Sequence, residues 1–395
     1  MNALAKLLDL PKQEKIENGL LYTPTEIAQQ PATWESTFAL FQKRRAELAE
    51  FLTHAGLGHS TRPKPTVFLI GAGTSDYIGR SLAHVLRRLW QCEVIAVPST
   101  SLLTHGEQWL ISGRRYVWIS FSRSGDSPEG VSVLERALAS HPEIHHIIVS
   151  CNAAGHMIRC AAGQKQAFTV ALDDEVNDRS LAMTSSFSNM VIFGQCMAHV
   201  HNPQQYEPVL DRLVEAGRSF LPRAADLAEE LAAEPYGKVC FLGSGALEGV
   251  AVESGLKVLE LTAGKTLTMS ESAMGLRHGP MAALDKTTLL VAFLSSDEKV
   301  SRYEQDLLRE LTRKRLVRTQ IAVGGYSELP VDGLADRYVS PQIQQPVPDD
   351  CRPPVDVMFG QLLGLFFSLR WNLTPDRPSP NGAIARVVQN VTIYA

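Results

Sequence analysis

The chain has 395 residues, of which 45% are hydrophobic and 20% charged, and its formal net charge is −4. This composition is typical of a folded globular protein with two or three domains and excludes a largely disordered chain. The charge balance, without any Lys/Arg-rich run, offers no basic surface to a nucleic-acid backbone, so no nucleic-acid partner is expected.

The ends of the chain carry no targeting or membrane signal. Residues 1–50 lack the apolar run and small-residue cleavage site of a signal peptide and are predicted to form an N-terminal helical segment. The most apolar late stretch, residues 358–369, is shorter than the about 20 residues that span a bilayer, so it predicts a buried helix. Six scattered cysteines without paired spacing favour reduced thiols. We therefore expect a cytoplasmic protein with no membrane partner.

Short apolar runs alternate with helical patterns along the chain, which predicts an α/β fold built on parallel sheets. The predicted strands cover residues 67–70, 93–97, 116–121, 145–150, 167–171, 239–242, 288–294 and 319–323. Helices are predicted over residues 76–90 and 127–140. One long helical region is predicted from residue 180 through 200 to 233.

The pattern of elements restarts in the second half of the chain. Gly71, at the end of the first strand, is matched by Gly243, a step of 172 residues (243 − 71). The same step carries Phe121, at the end of a later strand, onto Phe293. This shared offset predicts two copies of one domain. The predicted boundaries are 51–205 and 206–385, followed by a tail over 386–395.

Two hydroxyl-rich turns follow strands of the first copy, Gly-Ala-Gly-Thr-Ser over residues 71–75 and Ser-Arg-Ser-Gly-Asp-Ser over residues 122–127. Each precedes a helix, so free backbone N–H groups and the positive end of the helix dipole favour an anion. A phosphate monoester is the predicted ligand, and ordinary N-capping by Ser and Thr is the alternative interpretation. In the second copy Asp297 replaces Gly125, so the anion is expected in the first copy alone.

Other ligand classes fit the sequence less well. The first glycine turn lacks the third glycine of a dinucleotide site, and the second strand ends in Val97-Pro98 with no acid for a ribose. No P-loop motif and no cluster with metal-ligand spacing occurs in the sequence. No cofactor and no metal are expected.

A carboxylate and a histidine in the second copy are candidates for acid–base chemistry. Lys257 and Glu260 are three residues apart on a predicted apolar helix and so share a face. His278 stands in a loop before a Gly-Pro break. A carboxylate can move a proton between C1 and C2 of a sugar, and a histidine can open the ring. A surface ion pair and a hydrogen-bonded loop histidine are the alternative interpretations.

Four motifs together resemble the proteins with two sugar-isomerase (SIS) domains, of which the isomerase half of glucosamine-6-phosphate synthase is one. They cover residues 73–75, 122–127, 181–187 and 276–280. The run from Tyr22 to Trp34 is similar to the branch called galactosamine-6-phosphate deaminase or tagatose-6-phosphate ketose/aldose isomerase. The resemblance implies two tandem SIS domains, each a mostly parallel sheet flanked by helices in a flavodoxin-like three-layer sandwich.

The resemblance also implies roles for single residues. Glu260 corresponds to the proton-transferring glutamate, Lys257 to a helix lysine, and His278 to a ring-opening histidine that reaches in from the neighbouring subunit. A homodimer would then be required for activity. Phosphate binding falls to Ser122, Ser124 and Ser127 by the same resemblance. The full set of candidate substrate-binding residues is Gly73, Thr74, Ser75, Ser122, Arg123, Ser124, Ser127 and Leu181.

Two departures from the synthase pattern indicate the direction of the reaction. No glutaminase segment precedes the first strand, and Gln389 stands where the synthase tail carries a lysine. We therefore expect degradation, in which galactosamine 6-phosphate gives tagatose 6-phosphate and ammonia. The alternatives are tagatose-6-phosphate isomerisation, glucosamine-6-phosphate deamination, another epimer-specific isomerase or etherase, and a non-catalytic sugar-phosphate-binding regulator. The sequence leaves open the configuration at C4, the 2-amino or 2-hydroxy substituent, and the role of Arg123.

Overall fold

The structure is a computed structural model that describes residues 1–58, 63–325, 333–388 and 391–394. The chain divides into two compact units, each with one five-stranded parallel sheet. This confirms the predicted α/β fold with two sheets. The first-sheet unit comprises Thr33–Asp178, Ser185–Glu207 and Ile384–Ala395, and the second-sheet unit comprises Met1–Ala32, Arg179–Thr184 and Pro208–Ala383.

The elements are numbered in chain order. The strands are β1 (Thr66–Gly71), β2 (Val94–Pro98), β3 (Tyr116–Ser122), β4 (His145–Ser150), β5 (Ala167–Ala171), β6 (Lys238–Gly243), β7 (Leu267–Ser272), β8 (Thr288–Phe293), β9 (Thr319–Val323) and β10 (Arg337–Val339). The α-helices are α1 (Ala3–Leu8), α2 (Lys12–Asn18), α3 (Thr23–Ala28), α4 (Gln30–Leu52), α5 (Thr74–Trp90), α6 (Ser99–Trp109), α7 (Pro128–Ser140), α8 (His156–Ala161), α9 (Ser185–Ala198), α10 (Glu207–Ala232), α11 (Ala246–Leu261), α12 (Glu298–Lys314) and α13 (Pro353–Arg370).

The sheet of the first-sheet unit has the strand order β2-β1-β3-β4-β5, with every pair parallel. Every residue of β1 and β3 is buried, as expected for central strands with helices on both faces. The order reverses between β1 and β3, which follow opposite directions of chain progression. In such sheets the carboxyl ends of the strands at this switch point form the usual ligand site.

The sheet of the second-sheet unit has the order β7-β6-β8-β9-β10, again all parallel. Its strands therefore follow one another in the same spatial order as those of the first sheet. The turns after β1 and β6 also have the same backbone conformation. Gly73 has φ 55° and ψ −128°, and Gly245 has φ 59° and ψ −125°. Such angles are accessible to glycine and disfavoured for residues with a Cβ.

All eight predicted strands are present, with each end within one residue of the prediction. The sequence analysis missed β7 and β10, which lie at the two edges of the second sheet. The reason is that β7, Leu-Thr-Met-Ser-Glu-Ser, is polar and only partly buried, while β10 has three residues. Neither contains the apolar run by which buried strands were identified.

The predicted continuous helical region from residue 180 to 233 was wrong. Helix α9 starts at Ser185, because the Asp178 carboxylate accepts hydrogen bonds from the backbone N–H groups of Ser185 and Ser186 (3.0 and 2.9 Å) and caps the helix there. A break follows Ala198, and a short 3₁₀ turn at Pro203–Gln205 precedes α10. Propensity alone did not reveal these two ends.

The predicted buried helix over residues 358–369 is confirmed as α13, which packs against α11. The approach is close at two glycines. A Cβ placed on Gly360 would lie 2.4 Å from Ser254 Cβ, and one on Gly364 would lie 3.0 Å from the Lys257 carbonyl oxygen. Within the described part of the chain, every helix is too short or too polar to cross a membrane.

Candidate active site

The turn after β1 is closed and rich in donors. A Cβ on Gly71 would lie 2.3 Å from the Ser75 carbonyl carbon, so a side chain at this position would collide with the turn. Thr74 and Ser75 form the first residues of α5 and are buried, and Gly73 precedes the helix without a capping side chain. The sequence-predicted residues Gly73, Thr74 and Ser75 are thus together at the carboxyl end of β1.

The turn after β3 folds on its own serines. Ser122 Oγ accepts a hydrogen bond from the Gly125 backbone N–H (3.0 Å), and Ser124 Oγ accepts one from the Asp126 N–H (3.1 Å). Gly125 has φ 68°, and its carbonyl accepts from Met157 N–H (2.9 Å). These bonds shape the loop so that it leads directly into α7.

Ser127 precedes α7 without forming a side-chain capping bond. The simple N-capping interpretation therefore fails at this residue. Among the described residues, the backbone N–H groups of Ser124 and Ser127 find no acceptor. Because β1 and β3 are paired neighbours, both serine-containing turns lie at the same edge of the sheet. Hydroxyls, free N–H groups and two helix N-termini at the switch point suit an anion.

An acidic residue at this edge was not identified from the sequence. Asp76, in the first turn of α5, is buried, and its Oδ2 lies 3.1 Å from Arg80 Nε. Burial raises the pKa of the Asp76 carboxyl, which the nearby Arg80 partly opposes. The i,i+4 spacing of the two residues was visible in the sequence, but burial of the acid was not.

Arg123 is buried beside the serine turn, where its Nη2 donates to the backbone carbonyl of Arg386 in the C-terminal tail (2.6 Å). Arg386 in turn donates from Nε to the Asp178 carbonyl (2.8 Å) and from Nη2 to Asn177 Oδ1 (2.7 Å). The guanidinium of Arg123 therefore contacts the tail of its own unit. Its predicted contact with substrate stays a prediction, and Gln389 lies outside the described residues.

In the second-sheet unit, α11 carries a buried lysine between two carboxylates. Lys257 Nζ lies 2.7 Å from Glu260 Oε2 and 3.4 Å from Glu253 Oε1. The side chains of Lys257 and Glu253 are fully buried, whereas that of Glu260 is 23% exposed. The alternative of a surface ion pair is thereby excluded, because the ammonium has no access to water.

This arrangement gives Glu260 one fixed and one available oxygen. Oε2 is held by the lysine, while Oε1 accepts no hydrogen bond from any residue in the described ranges. A carboxylate held in this way is a suitable general base. Glu253 was missed in the sequence analysis, although its place four residues before Lys257 on an apolar helix was a usable signal.

His278 follows a 3₁₀ turn (Gly275–Arg277) that starts just beyond β7. The loop is anchored by the buried Leu276 side chain and by the bond from Gly275 N–H to Ser272 Oγ (3.1 Å). The His278 side chain itself is exposed, and its ring forms no hydrogen bond or ion pair within the described part of the chain. The interpretation of His278 as a hydrogen-bonded loop residue is not supported.

Leu181 lies in the second-sheet unit, where its backbone N–H donates to the Asp376 carbonyl (3.1 Å). The Asp376 carboxylate accepts from the backbone N–H groups of Leu21 and Thr23 (both 2.8 Å). These bonds fix the segment of Leu181 to the start of α3. The structure thus brings Glu253, Lys257 and Glu260 together on α11, and it forms no direct bond between that group and His278 or Leu181.

Candidate metal ligands were sought throughout residues 1–58, 63–325, 333–388 and 391–394. No group of three or more His, Cys, Asp or Glu side chains in these ranges is placed to hold a metal ion. The cysteines in the described ranges are all free thiols. Burial raises the pKa of the Cys240 thiol to about 12, which keeps it protonated and unreactive.

Comparison with known proteins reveals close relatives, although no protein-family model matches the chain. It is 36% identical to D-galactosamine-6-phosphate deaminase AgaS of Escherichia coli over 385 residues, covering 94% of this chain and 95% of that one. It is 30% identical to the protein of the same name from Shewanella sp. (strain ANA-3), covering 98% and 95%. The crystal structure of tagatose-6-phosphate ketose/aldose isomerase from Escherichia coli superposes with a TM-score of 0.84 at 32% identity, covering 94% and 96%.

Proposed function

This chain belongs to the family of the D-galactosamine-6-phosphate deaminases AgaS, and we propose that it converts galactosamine 6-phosphate into tagatose 6-phosphate and ammonia. The observation that carries the chemistry is the partly exposed Glu260, held at 2.7 Å by a lysine with no access to water. Isomerisation at an aldose–ketose carbon pair requires one base of this kind. The proposed substrate is a phosphorylated hexosamine.

The phosphate group is assigned to the serine turn of the first-sheet unit. Ser122, Ser124 and Ser127 supply hydroxyls, and the N-terminus of α7 supplies backbone N–H groups and a favourable dipole. Thr74 and Ser75, with Gly73 before them, are assigned to the sugar. The proposal is supported by the free N–H groups of Ser124 and Ser127, which an anion would satisfy.

The reaction begins with ring opening. His278 takes the proton from the C1 hydroxyl and returns one to the ring oxygen, which exposes the aldehyde. Glu260 then removes the proton from C2 and delivers it to C1. With a 2-amino sugar, this yields an imine at C2. Water adds to that carbon, the C–N bond breaks, and ketose phosphate and ammonia are released, so that one water is consumed for each ammonia formed.

Lys257 is proposed to orient the Glu260 carboxylate and to keep it ionised. A buried ammonium 2.7 Å from Oε2 stabilises the negative charge and fixes the side-chain rotamer. Leu181 and Arg123 are proposed to shape the substrate site, Arg123 through its bond to the tail carbonyl of Arg386. A cytoplasmic location also stays a proposal.

We infer that the active form is a homodimer in which His278 serves the site of the neighbouring chain. The exposed ring on an anchored loop is consistent with this role. We also infer that the two sheets are copies of one SIS domain. The same strand order, the step of 172 residues and the matched angles at Gly73 and Gly245 support this duplication.

The test is ammonia release from purified protein supplied with galactosamine 6-phosphate, with glucosamine 6-phosphate in parallel. We expect equimolar ammonia and ketose phosphate from the galacto sugar. Glu260→Gln should lose turnover by at least about 100-fold while binding the sugar phosphate normally. The matched control is Glu248→Gln, which changes a carboxylate in the first turn of the same helix. Full turnover in Glu260→Gln would disprove the assignment of the base.

A second candidate function is isomerisation of tagatose 6-phosphate, since the superposed Escherichia coli structure carries that name. The same proton transfer on a 2-hydroxy sugar stops at the ketose and releases no ammonia. Interconversion of aldose and ketose phosphates, with no ammonia from either amino sugar, would favour this function. Binding of hexose phosphates without any product would favour a regulator.

A further inference from the structure

The carboxyl end of the second sheet repeats the construction of the serine turn. Ser296 follows β8 at the position 172 residues after Ser124, and α12 starts just beyond it, as α7 starts after Ser127. Sheet order, glycine turn and helix N-terminus are thus the same in both units. The two ends differ in what the N–H groups bind.

In the second-sheet unit these donors are occupied by the chain's own carboxylates. The Ser296 N–H lies 2.9 Å from Asp349 Oδ1 and 3.0 Å from Oδ2, and the Ser295 hydroxyl also donates to Asp349. The Ser295 N–H donates to Glu304 Oε2 (2.8 Å). Asp297 accepts from the first N–H groups of α12. The donors that stay free at Ser124 are therefore filled at Ser296.

A buried cation completes the binding of Asp349. Arg352 is 1% exposed; its Nη1 lies 3.1 Å from Asp349 Oδ1 and 2.7 Å from Ser296 Oγ, and its Nη2 lies 2.7 Å from Asp356 Oδ2. A Cβ placed on Gly325 would lie 2.3 Å from Arg352 Nη1, so glycine is required above the guanidinium. Backbone N–H, hydroxyl and guanidinium converge on one carboxylate, as in a site for an anionic ligand.

We propose that the end of β8 is an anion site that the chain closes with the Asp349 carboxylate, so that this unit binds no phosphosugar. The residues after the preceding glycine turn agree, because Ala246 and Leu247 replace Thr74 and Ser75 at the same step. Opened by loss of the Asp349 side chain, the site takes a small monocarboxylate such as acetate or formate. The remaining carboxylates of Glu304 and Asp297 repel a phosphate dianion.

The experiment replaces the missing side chain from solution. Asp349→Gly removes a group equivalent to acetate, and Asp350→Gly is the matched control for charge and loop flexibility. Melting temperatures are measured in rising sodium acetate against sodium chloride of equal ionic strength. Ligand bound to the folded state alone raises the melting temperature. We expect acetate to raise that of Asp349→Gly by several degrees with saturation, and to leave the native chain and Asp350→Gly no different from chloride.

Two further variants keep the test decisive. Asp349→Asn retains an oxygen for the Ser296 N–H, so the place stays filled, and acetate should have no effect on its melting temperature. If Asp349→Gly does not yield folded protein, Asp349→Ala with formate is used in the same assay. Equal acetate or formate responses in the opened variant and its control would overturn the proposal. The same response in Asp349→Asn would also overturn it, because the anion would then act elsewhere.

Discussion

Lys257 bonds to Glu253 one turn before it and to Glu260 one turn after it, at 3.4 and 2.7 Å, so one buried ammonium serves two carboxylates. Glu253 is fully buried, and Glu260 is partly exposed. The exposed member can meet a substrate and the buried member cannot. Glu253 is therefore a positioning residue, which holds the lysine that holds the base.

Glu253→Gln tests this relation. The amide keeps the shape of the side chain but loses the charge, so Lys257 will be drawn closer to Glu260 and will weaken it as a base. We expect kcat to fall about 10-fold, with KM unchanged and the acidic limb of the pH–rate profile displaced. Glu248→Gln is the control on the same helix. An unchanged pH profile would contradict the positioning role.

The serine turn predicts a different kinetic signature. Ser127→Ala removes a hydroxyl proposed to bind phosphate, and a hydrogen bond to a charged group is worth about 1.5–3 kcal/mol. We expect KM for the sugar phosphate to rise at least about 10-fold with little change in kcat. Ser140→Ala, at the other end of α7, is the control. A loss confined to kcat would argue against phosphate binding by Ser127.

His146 makes stability depend on pH. Its side chain is buried and neither ring nitrogen bonds to a described residue, and burial, followed by His145 and His141, lowers its pKa from 6.5 to about 3. The unfolded chain therefore binds a proton between these pH values and the folded chain does not. Stability from this group is complete above pH 6.5 and is lost as the pH falls towards 3.

The measurement is urea unfolding of the native chain and of His146→Leu at pH 7.5 and 5. We expect the native chain to lose about 1–2 kcal/mol over this interval from His146, and the variant to be relieved of that loss. His105→Gln, at an exposed histidine, serves as the control. Equal pH dependence in all three proteins would show that His146 is not responsible.

Sharing of His278 between chains can be tested by mixing two inactive variants. Glu260→Gln and His278→Asn are unfolded together and refolded, so that mixed dimers form. Each mixed dimer contains one site with both native residues if the histidine comes from the neighbouring chain. Activity should return to about a quarter of the native value. Activity confined to the sum of the separate variants would place the two residues in the same chain.

The fold was predictable because buried parallel strands are apolar runs, and eight of these ended where expected. Edge strands β7 and β10 escaped because their exposure permits polar residues. The start of α9 could not be predicted, since it depends on the Asp178 carboxylate seven residues earlier. Local pattern identifies burial but not the partner that terminates an element.

The candidate site was predictable to the level of single motifs. Lys257 and Glu260 are neighbours on one helix, so their spacing already predicted the contact. Asp349 is 53 residues from Ser296, and its bond there is a product of the tertiary fold. The free N–H of Ser124 and the filled N–H of Ser296 look alike in sequence. Only three-dimensional placement distinguishes an open site from a closed one.

The close contact of α13 with α11 bears on how this protein can evolve. Gly360 and Gly364 leave no space for a side chain against Ser254 and the Lys257 backbone, on the helix that carries Glu260. A larger residue at either glycine will rotate or lift that helix and turn the carboxylate away from its target. Selection on the reaction therefore extends to two residues that never meet a substrate, and lineages that alter substrate preference are expected to keep both glycines.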